Sequence, residues 1–235
     1  MTVHTFLHPQ SLFESDVLSN AEDPLIVVSD VMFFSTTTTI LGEQGVERVT
    51  PIQSLSDVEE NIPLGGEFKS EDISVDFQNR PQSVFGFIGM QETTPSHVQL
   101  HSTNGARVIR QISERVDESS EIIIGCLRNA SSVAEYIQSH QSHSSVFLVS
   151  AGSRDEIAIE DQLCISSIDQ YLGGRPVNEV ALSELSQTLP IQRYDPEMSN
   201  VDSYFQPDDR QHASRINESD FIPRLTGGRD ITFES

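Results

Sequence analysis

The chain contains no tryptophan and a single lysine, Lys69; every other basic residue is arginine. Across 235 residues, 36 acidic side chains face only 14 basic ones, for a formal charge of −22. Shortage of positive charge excludes a nucleic-acid backbone as partner, because binding phosphates along a strand needs clustered Lys and Arg. It equally disfavours anionic membrane surfaces, and no run approaches the ~20 apolar residues of a membrane span. The N-terminus lacks the basic-then-apolar pattern of a signal peptide, so a cytoplasmic protein is expected. Cys126 and Cys164 are the two cysteines. Each lies inside an apolar run, which fits buried free thiols in a reducing compartment. A disulfide or a catalytic thiol is the alternative.

An acidic surface almost without lysine fits a salt-rich cytoplasm, where hydrated carboxylates keep a protein soluble and salt screens their repulsion. An acidic protein of an ordinary cytoplasm is the alternative. The first reading has a direct consequence. Removing salt should lower the melting temperature, so a scan at roughly 3 M potassium chloride should melt above one at roughly 0.1 M. An unchanged or lower midpoint at high salt would sink the reading.

The clearest patterning begins at residue 97. Strands are expected at 97–101, 121–127 and 145–150, each followed by an amphipathic helix, at 104–117, 129–141 and 156–172. Residues Ala130, Val133, Ala134 and Ile137 make one i, i+3, i+4, i+7 stripe. Residues 24–30 form an apolar run ending at an acid, as in a buried central strand. Residues 35–42, rich in threonine, read as a helix or turn held by packing or ligand rather than propensity. A strand at 46–50, a short helix at 56–61, a strand candidate at 84–88 and a helix at 177–189 complete the reading. Residues 190–220 read as irregular. Alternating strands and helices predict a single α/β domain over 1–235, a three-layer α/β/α arrangement with a mixed, largely parallel sheet. Ligands then sit beyond the C-terminal strand ends, where Asp30, Thr103, Asn104, Arg128, Asn129 and Gly152 fall.

Residues 98–107 carry the sharpest local signal. A strand runs through Thr103-Asn104-Gly105 straight into a helix, and such a junction favours an anion at the free N–H groups. A simple N-cap by Thr103 or Asn104 explains it as well. His140 and His143 have a His-x-x-His spacing without a third ligand nearby, so a frayed helix end is favoured over zinc.

These pieces, in this order, resemble the 2-phosphosulfolactate phosphatase family. The carrying segments are Asp30-Val31-Met32-Phe33-Phe34-Ser35-Thr36-Thr37, Gly66-Glu67-Phe68, Asp76-Phe77-Gln78-Asn79-Arg80-Pro81, Thr103-Asn104-Gly105-Ala106, and Ala151-Gly152 with Glu160-Asp161. An ending at Phe221-Ile222-Pro223-Arg224-Leu225 before Gly227-Gly228 is also similar. The resemblance is good over about residues 23–172. It implies a magnesium-dependent phosphatase linked to coenzyme M biosynthesis, acting on a small anionic phosphoester. It implies catalytic roles for Asp30, Asp76 and Asp161, and Mg2+ held by Asp30, Glu67 and Glu160. It implies substrate contacts from Thr36, Thr37, Asn79, Arg80, Thr103, Asn104 and Gly105. A packed run of β-branched methyls is the alternative for residues 36–39. Magnesium takes only one or two protein carboxylates, so not every acid named is a direct ligand. A homo-oligomer stays open.

Two departures stand out. Phe33 and Phe68 occupy positions where the family has arginines, natural binders of phosphate and sulfonate oxygens. Arg80 offers one replacement charge, and Arg107 and Arg128 could also face the site. The substitutions leave room for a less charged substrate, or for a family member that serves as a binding or partner subunit. On the sequence alone, restoring both guanidiniums should raise activity toward phosphosulfolactate.

Overall fold

The computed structural model describes residues 1–66, 74–117, 119–140, 142–153, 156–192 and 206–234, with backbone only at Leu55 and 189–192. Three central strands set the architecture: β2 (Leu25–Ser29), β6 (Glu121–Ile124) and β7 (Ser145–Ser150). They lie parallel, with Val27 opposite Leu148 on one side and Ile123 on the other. β-branched and aromatic residues suit a strand buried on both faces, and every residue of β2 and β6 is buried.

Successive side chains point to opposite faces, and two separate cores follow. Ile26, Val28, Ile122, Ile124, Phe147 and Val149 belong to the first. It is covered by α1 (Pro9–Phe13), α2 (Phe34–Glu43), α3 (Pro81–Gly89) and α4 (Gly105–Ser113). Leu25, Val27, Ile123, Val146 and Leu148 belong to the second. Over it pack α5 (Ala130–Ser139), α6 (Ile159–Leu172), α7 (Glu179–Gln192) and α8 (Pro207–Ala213). The expected three layers are present.

The remaining strands are β1 (Thr2–Phe6), β3 (Arg48–Ile52), β4 (Leu64–Gly65), β5 (His97–His101), β8 (Ile222–Thr226) and β9 (Asp230–Glu234). The described sheet runs β1-β7-β2-β6-β8-β9-β3-β5-β4. Strands β8 and β9 form a hairpin whose turn carries Gly227 and Gly228 at φ of 59° and 69°, a backbone only glycine adopts cheaply. The hairpin pairs antiparallel with β6 through Ile123 and Arg224, and with β3 through Val49 and Ile231. It therefore joins two parallel blocks that run in opposite sense. The C-terminal ends of β2 and β5 nevertheless meet, the Asp30 carboxylate accepting from the Ser102 hydroxyl at 3.3 Å.

Helix α2 shows packing overriding propensity. Four threonines in a row cost up to roughly 3 kcal/mol against alanine. Burying Phe34, Ile40 and Leu41, each completely enclosed, contributes about 4–9 kcal/mol. Burial wins, and two threonines also bond locally: Thr36 to the Val31 carbonyl at 2.8 Å and Thr39 to that of Ser35 at 2.9 Å.

Several expectations need correction. Residues 84–88 are helix α3, not a strand. Pro81 opens it from an extended Arg80, and Val84 and Phe87 share its inner face. Residues 56–61 give only a 3-10 turn at Leu55–Asp57. Within 190–220, expected to be irregular, α8 is a helix; residues 193–205 lie outside the described ones. Among the described residues, no helix is long and apolar enough to cross a membrane.

Candidate functional site

Asp30 ends β2 and stands almost wholly buried at 4 % exposure. Its backbone is fixed by Ser35, which accepts the Asp30 N–H through Oγ and donates its own N–H to the Asp30 carbonyl, both at 2.8 Å. The carboxylate Oδ2 accepts the Gly105 N–H at 2.7 Å and the Ser102 hydroxyl at 3.3 Å. Ser102 Oγ in turn accepts the N–H groups of Asn104 and Gly105, at 3.3 and 3.1 Å. One donor and two acceptor positions of the hydroxyl are thereby used. The anion at the start of α4 is thus the protein's own Asp30, and the cap comes from Ser102 rather than Thr103 or Asn104.

That contact requires glycine. A Cβ at residue 105 would stand 2.6 Å from Phe34 Cδ1 and 2.8 Å from Asp30 Oδ2, both buried and unable to yield. Gly105→Ala is expected to cost about 1–3 kcal/mol, as overpacking does, and to displace Asp30. A variant melting like the natural chain would show that Asp30 is not held there.

Asp161 lies in the first turn of α6 and ties two strand ends together. Its Oδ1 accepts the Val31 N–H at 2.8 Å, just past β2. Its Oδ2 accepts the Gly152 N–H at 3.0 Å and the Ser150 hydroxyl at 3.4 Å, at the end of β7. Glu160 beside it is also buried. The three acids share one field. Burial first, opposed by the Gly105 N–H, and then the Glu160 charge push the Asp30 carboxyl up to about 6. Burial, then the charges of Glu160 and Asp30, hold Asp161 well above the ordinary carboxylate range. Acids from β2 and α6, 130 residues apart, have been brought to one edge of the sheet. Like-charged buried groups of this kind mark functional sites more often than structural ones.

The sequence profile of the 2-phosphosulpholactate phosphatase family matches residues 12–224. The chain belongs to this family. A protein of Caldanaerobacter subterraneus subsp. tengcongensis named probable 2-phosphosulfolactate phosphatase is 23 % identical, covering 95 % of this chain and 96 % of its own length. Proteins of the same name from Caldicellulosiruptor saccharolyticus and Carboxydothermus hydrogenoformans are 26 % and 29 % identical, over 79 % and 64 % of this chain.

The other positions that the resemblance singles out are placed as follows. Thr36 and Thr37 are completely buried, and Thr36 spends its hydroxyl on Val31, so it is not free to donate to a substrate. Thr37 Oγ1 has no hydrogen-bond partner. Thr103 is exposed and Asn104 half-buried at the mouth of α4. Asp76 is exposed, and its carboxylate accepts the Leu64 N–H at 2.8 Å; the charges acting most on Asp161 are those of Glu160 and Asp30. Asn79 is buried just before α3, and the charge of Arg80 acts on Asp209 of α8. Glu67 and Phe68 lie outside the described residues.

Arg128 does not face an open site. It is buried and grips both oxygens of Glu43 at 3.0 and 2.9 Å, with Glu218 at 3.3 Å. Arg107 donates through Nε to the Thr103 carbonyl at 3.2 Å, bracing the same loop. Phe33, at 3 % exposure, belongs to the second core with Val31, Met32 and Leu127. His140 stacks on Tyr136, and His143 faces Glu121 at 3.1 Å at the start of β6, away from Asp30. Cys126 and Cys164 are free and completely buried; burial raises both thiols.

Sequence reasoning missed Ser102 and Ser150 as partners of the acids, while Gly152, expected at the ligand end of the sheet beside Asp30, donates its N–H to Asp161. Ser102 had a local signal, a serine three residues before a glycine that opens a helix.

The donor chemistry bears on a divalent cation. Hard carboxylate oxygens, buried together and mutually repelling, suit Mg2+, which takes one or two of them beside waters and substrate oxygens. Asp30 and Glu160, both buried and acting on each other's charge, are the pair that fits such an ion, with Asp161 holding the Val31 and Gly152 backbones beside them. Among the described residues, no group of three His, Cys, Asp or Glu is arranged as a metal site.

Proposed function

We propose that this protein is a phosphoric monoester hydrolase acting on a small acidic phosphoester of the 2-phosphosulfolactate type, with Mg2+ as its cofactor. The observation that carries the reading is the set of buried acids Asp30, Glu160 and Asp161 on one sheet edge, in a member of this family. Asp30 and Glu160 would hold the cation, which when bound polarises a phosphoryl oxygen and offsets the charge of the acids. Asp161 is a positioning residue: it fixes the Val31 and Gly152 backbones and thereby the loop that carries Asp30. Ser102 and the Gly105 N–H orient the Asp30 carboxylate. Burial and the Glu160 charge raise the Asp30 carboxyl toward neutrality, a repulsion that a cation held between the two acids would offset. Attack by water and attack by an enzyme carboxylate both remain compatible with this arrangement.

The experiment is phosphate release from 2-phosphosulfolactate, with and without magnesium, by the natural chain and by Asp30→Asn. A loss of 10² or more in kcat for the variant is expected, as for removal of a group in the reacting shell. The burial of Phe33 at a family arginine position favours a second reading, a ligand-binding or partner subunit. Binding of the ester without any phosphate release, by a folded and magnesium-loaded chain, would decide for it.

A further inference from the structure

The described sheet has two rims, β4 and β1, and they are guarded unequally. An open rim is a template for another strand, and proteins blunt it by shortness, proline, bulges, charge or a covering segment. β4 has two residues, follows Pro63, and is bridged at Gly65 by Phe77. β1 has none of these guards. It pairs with β7 without a bulge, from Thr2 opposite Ser145 to Phe6 opposite Val149. Among the described residues, no strand pairs with its outer side. It holds no proline, and residues 1–13 carry no Asp, Glu, Lys or Arg. The chain's other long uncharged runs, 31–42, 93–106 and 136–153, build α2, β5 and β7, which are largely buried. Residues 2–6 lie instead at an open rim.

The backbone defines what this rim accepts. The Thr2 N–H donates to the Ser144 carbonyl at 2.9 Å, so Thr2, His4 and Phe6 turn their peptide groups toward β7. Those of Val3 and Thr5 point outward. The Leu7 carbonyl, next on the outer side, accepts the side-chain amide of Gln162 from α6 at 2.6 Å, which closes the rim there. An antiparallel copy of β1 on a two-fold axis at His4 uses every outward group of Val3 and Thr5. Val3 exchanges both bonds with the partner's Thr5, and Thr5 does so with the partner's Val3. The same register sets Leu7, 51 % exposed, against the partner's Met1, 60 % exposed.

We propose that β1 is the surface through which two copies of this chain associate, edge to edge, into one continuous sheet. Charge selects a second copy as the occupant. Two molecules at −22 repel wherever their carboxylates meet, and along this rim two backbones approach without bringing charged side chains together. A basic peptide strand would find no carboxylate on β1 to pair with. A contact of one strand per copy lies at the small end of specific interfaces, so the dimer forms at micromolar concentrations and above. Salt strengthens it by screening the remaining repulsion. The contact stands on the sheet rim alone and is independent of the phosphatase reading.

Sedimentation velocity tests it, on the natural chain, Thr5→Pro and Thr5→Ser, from roughly 1 µM to 1 mM protein in roughly 0.1 and 3 M potassium chloride. The natural chain should pass from 26.1 kDa to twice that mass, at lower protein concentration in the higher salt. Thr5→Pro removes an outward N–H and keeps the bonds to β7, a position where an edge strand tolerates proline. The dissociation constant should rise roughly 100-fold, as for two hydrogen bonds lost per dimer, with the circular dichroism spectrum unchanged. Thr5→Ser keeps the N–H and should associate like the natural chain. A natural chain that stays at 26.1 kDa at ~1 mM in both salts, or a dimer that Thr5→Pro leaves intact, overturns the assignment. Should Thr5→Pro not fold, amide hydrogen exchange in the natural chain decides. The N–H groups of Val3 and Thr5 must gain protection as protein concentration rises, while those of His4 and Phe6 are protected throughout. Free exchange at Val3 and Thr5 at every concentration refutes the contact. Protection of both in a monomer refutes it too, since another part of the same chain then covers the rim.

Discussion

Replacing Asp161 with alanine is expected to lower the melting temperature by on the order of 10 °C. Three donors, the N–H groups of Val31 and Gly152 and the Ser150 hydroxyl, lose a buried acceptor. Each unsatisfied buried group costs about 1–3 kcal/mol, and one kcal/mol shifts the midpoint of a domain this size by roughly 2–4 °C. Relief of repulsion with Glu160 and Asp30 acts in the opposite direction. Asp161→Asn separates the two effects, because it removes the charge and keeps the shape. Its amide can accept from one side only and turns an NH2 toward the other donors. The expected order of midpoints is therefore natural, then Asn, then Ala. Phosphate release should fall in both variants, since the loop holding Asp30 loses its anchor. An alanine variant melting within about 2 °C of the natural chain would show that repulsion outweighs the bonds, and that Asp161 does not organise the site.

Much of this was legible in the sequence where burial and local pattern coincide. The apolar runs of β2, β6 and β7 read as central strands because they are enclosed on both faces. The stripes of α4 and α5 read as helices because their apolar spacing closes on one face. Residues 84–88 misled because five consecutive apolar or small residues carry no period, while Pro81 three residues earlier was the better guide. Helix α8 had its own marks, Pro207 at the first position and Asp208-Asp209 in the first turn, but polar composition masked them. The insertion of β8 and β9 between two parallel blocks was beyond reach, since pairing across a hundred residues leaves no trace in local spacing. The site divides in the same way. Asp30, Glu160 and Asp161 stood in family segments, and the structure brings them together. Ser102 and Gly152 act through contacts that exist only once β2, β5 and β7 are side by side. The start of α4 reads as a place for a ligand anion, whereas in the structure the Gly105 N–H is taken by the Asp30 carboxylate of the same chain.

Phe33→Arg is where sequence and structure part most sharply. Restoring a family arginine should improve the grip on a sulfonate or phosphate, a gain of about 1.5–3 kcal/mol for a charge-assisted bond. The structure places Phe33 at 3 % exposure among Val31, Met32, Leu127 and Ala213. Removing the ring forfeits about 1.5–3 kcal/mol of burial, and an uncompensated guanidinium there costs several kcal/mol more. Together these approach the whole stability of an ordinary domain, 5–15 kcal/mol in order of magnitude, so the loss wins. The variant is expected to melt at least ~10 °C lower and to show no rise in kcat/KM per folded molecule. Phe33→Leu keeps the site apolar at a cost near 1–1.5 kcal/mol and should retain activity, so that aromaticity itself is not required. An arginine that buried its stem and raised its head to the site would behave otherwise. Preserved stability with increased kcat/KM on 2-phosphosulfolactate would establish that geometry, and would return to residue 33 an anion-binding role.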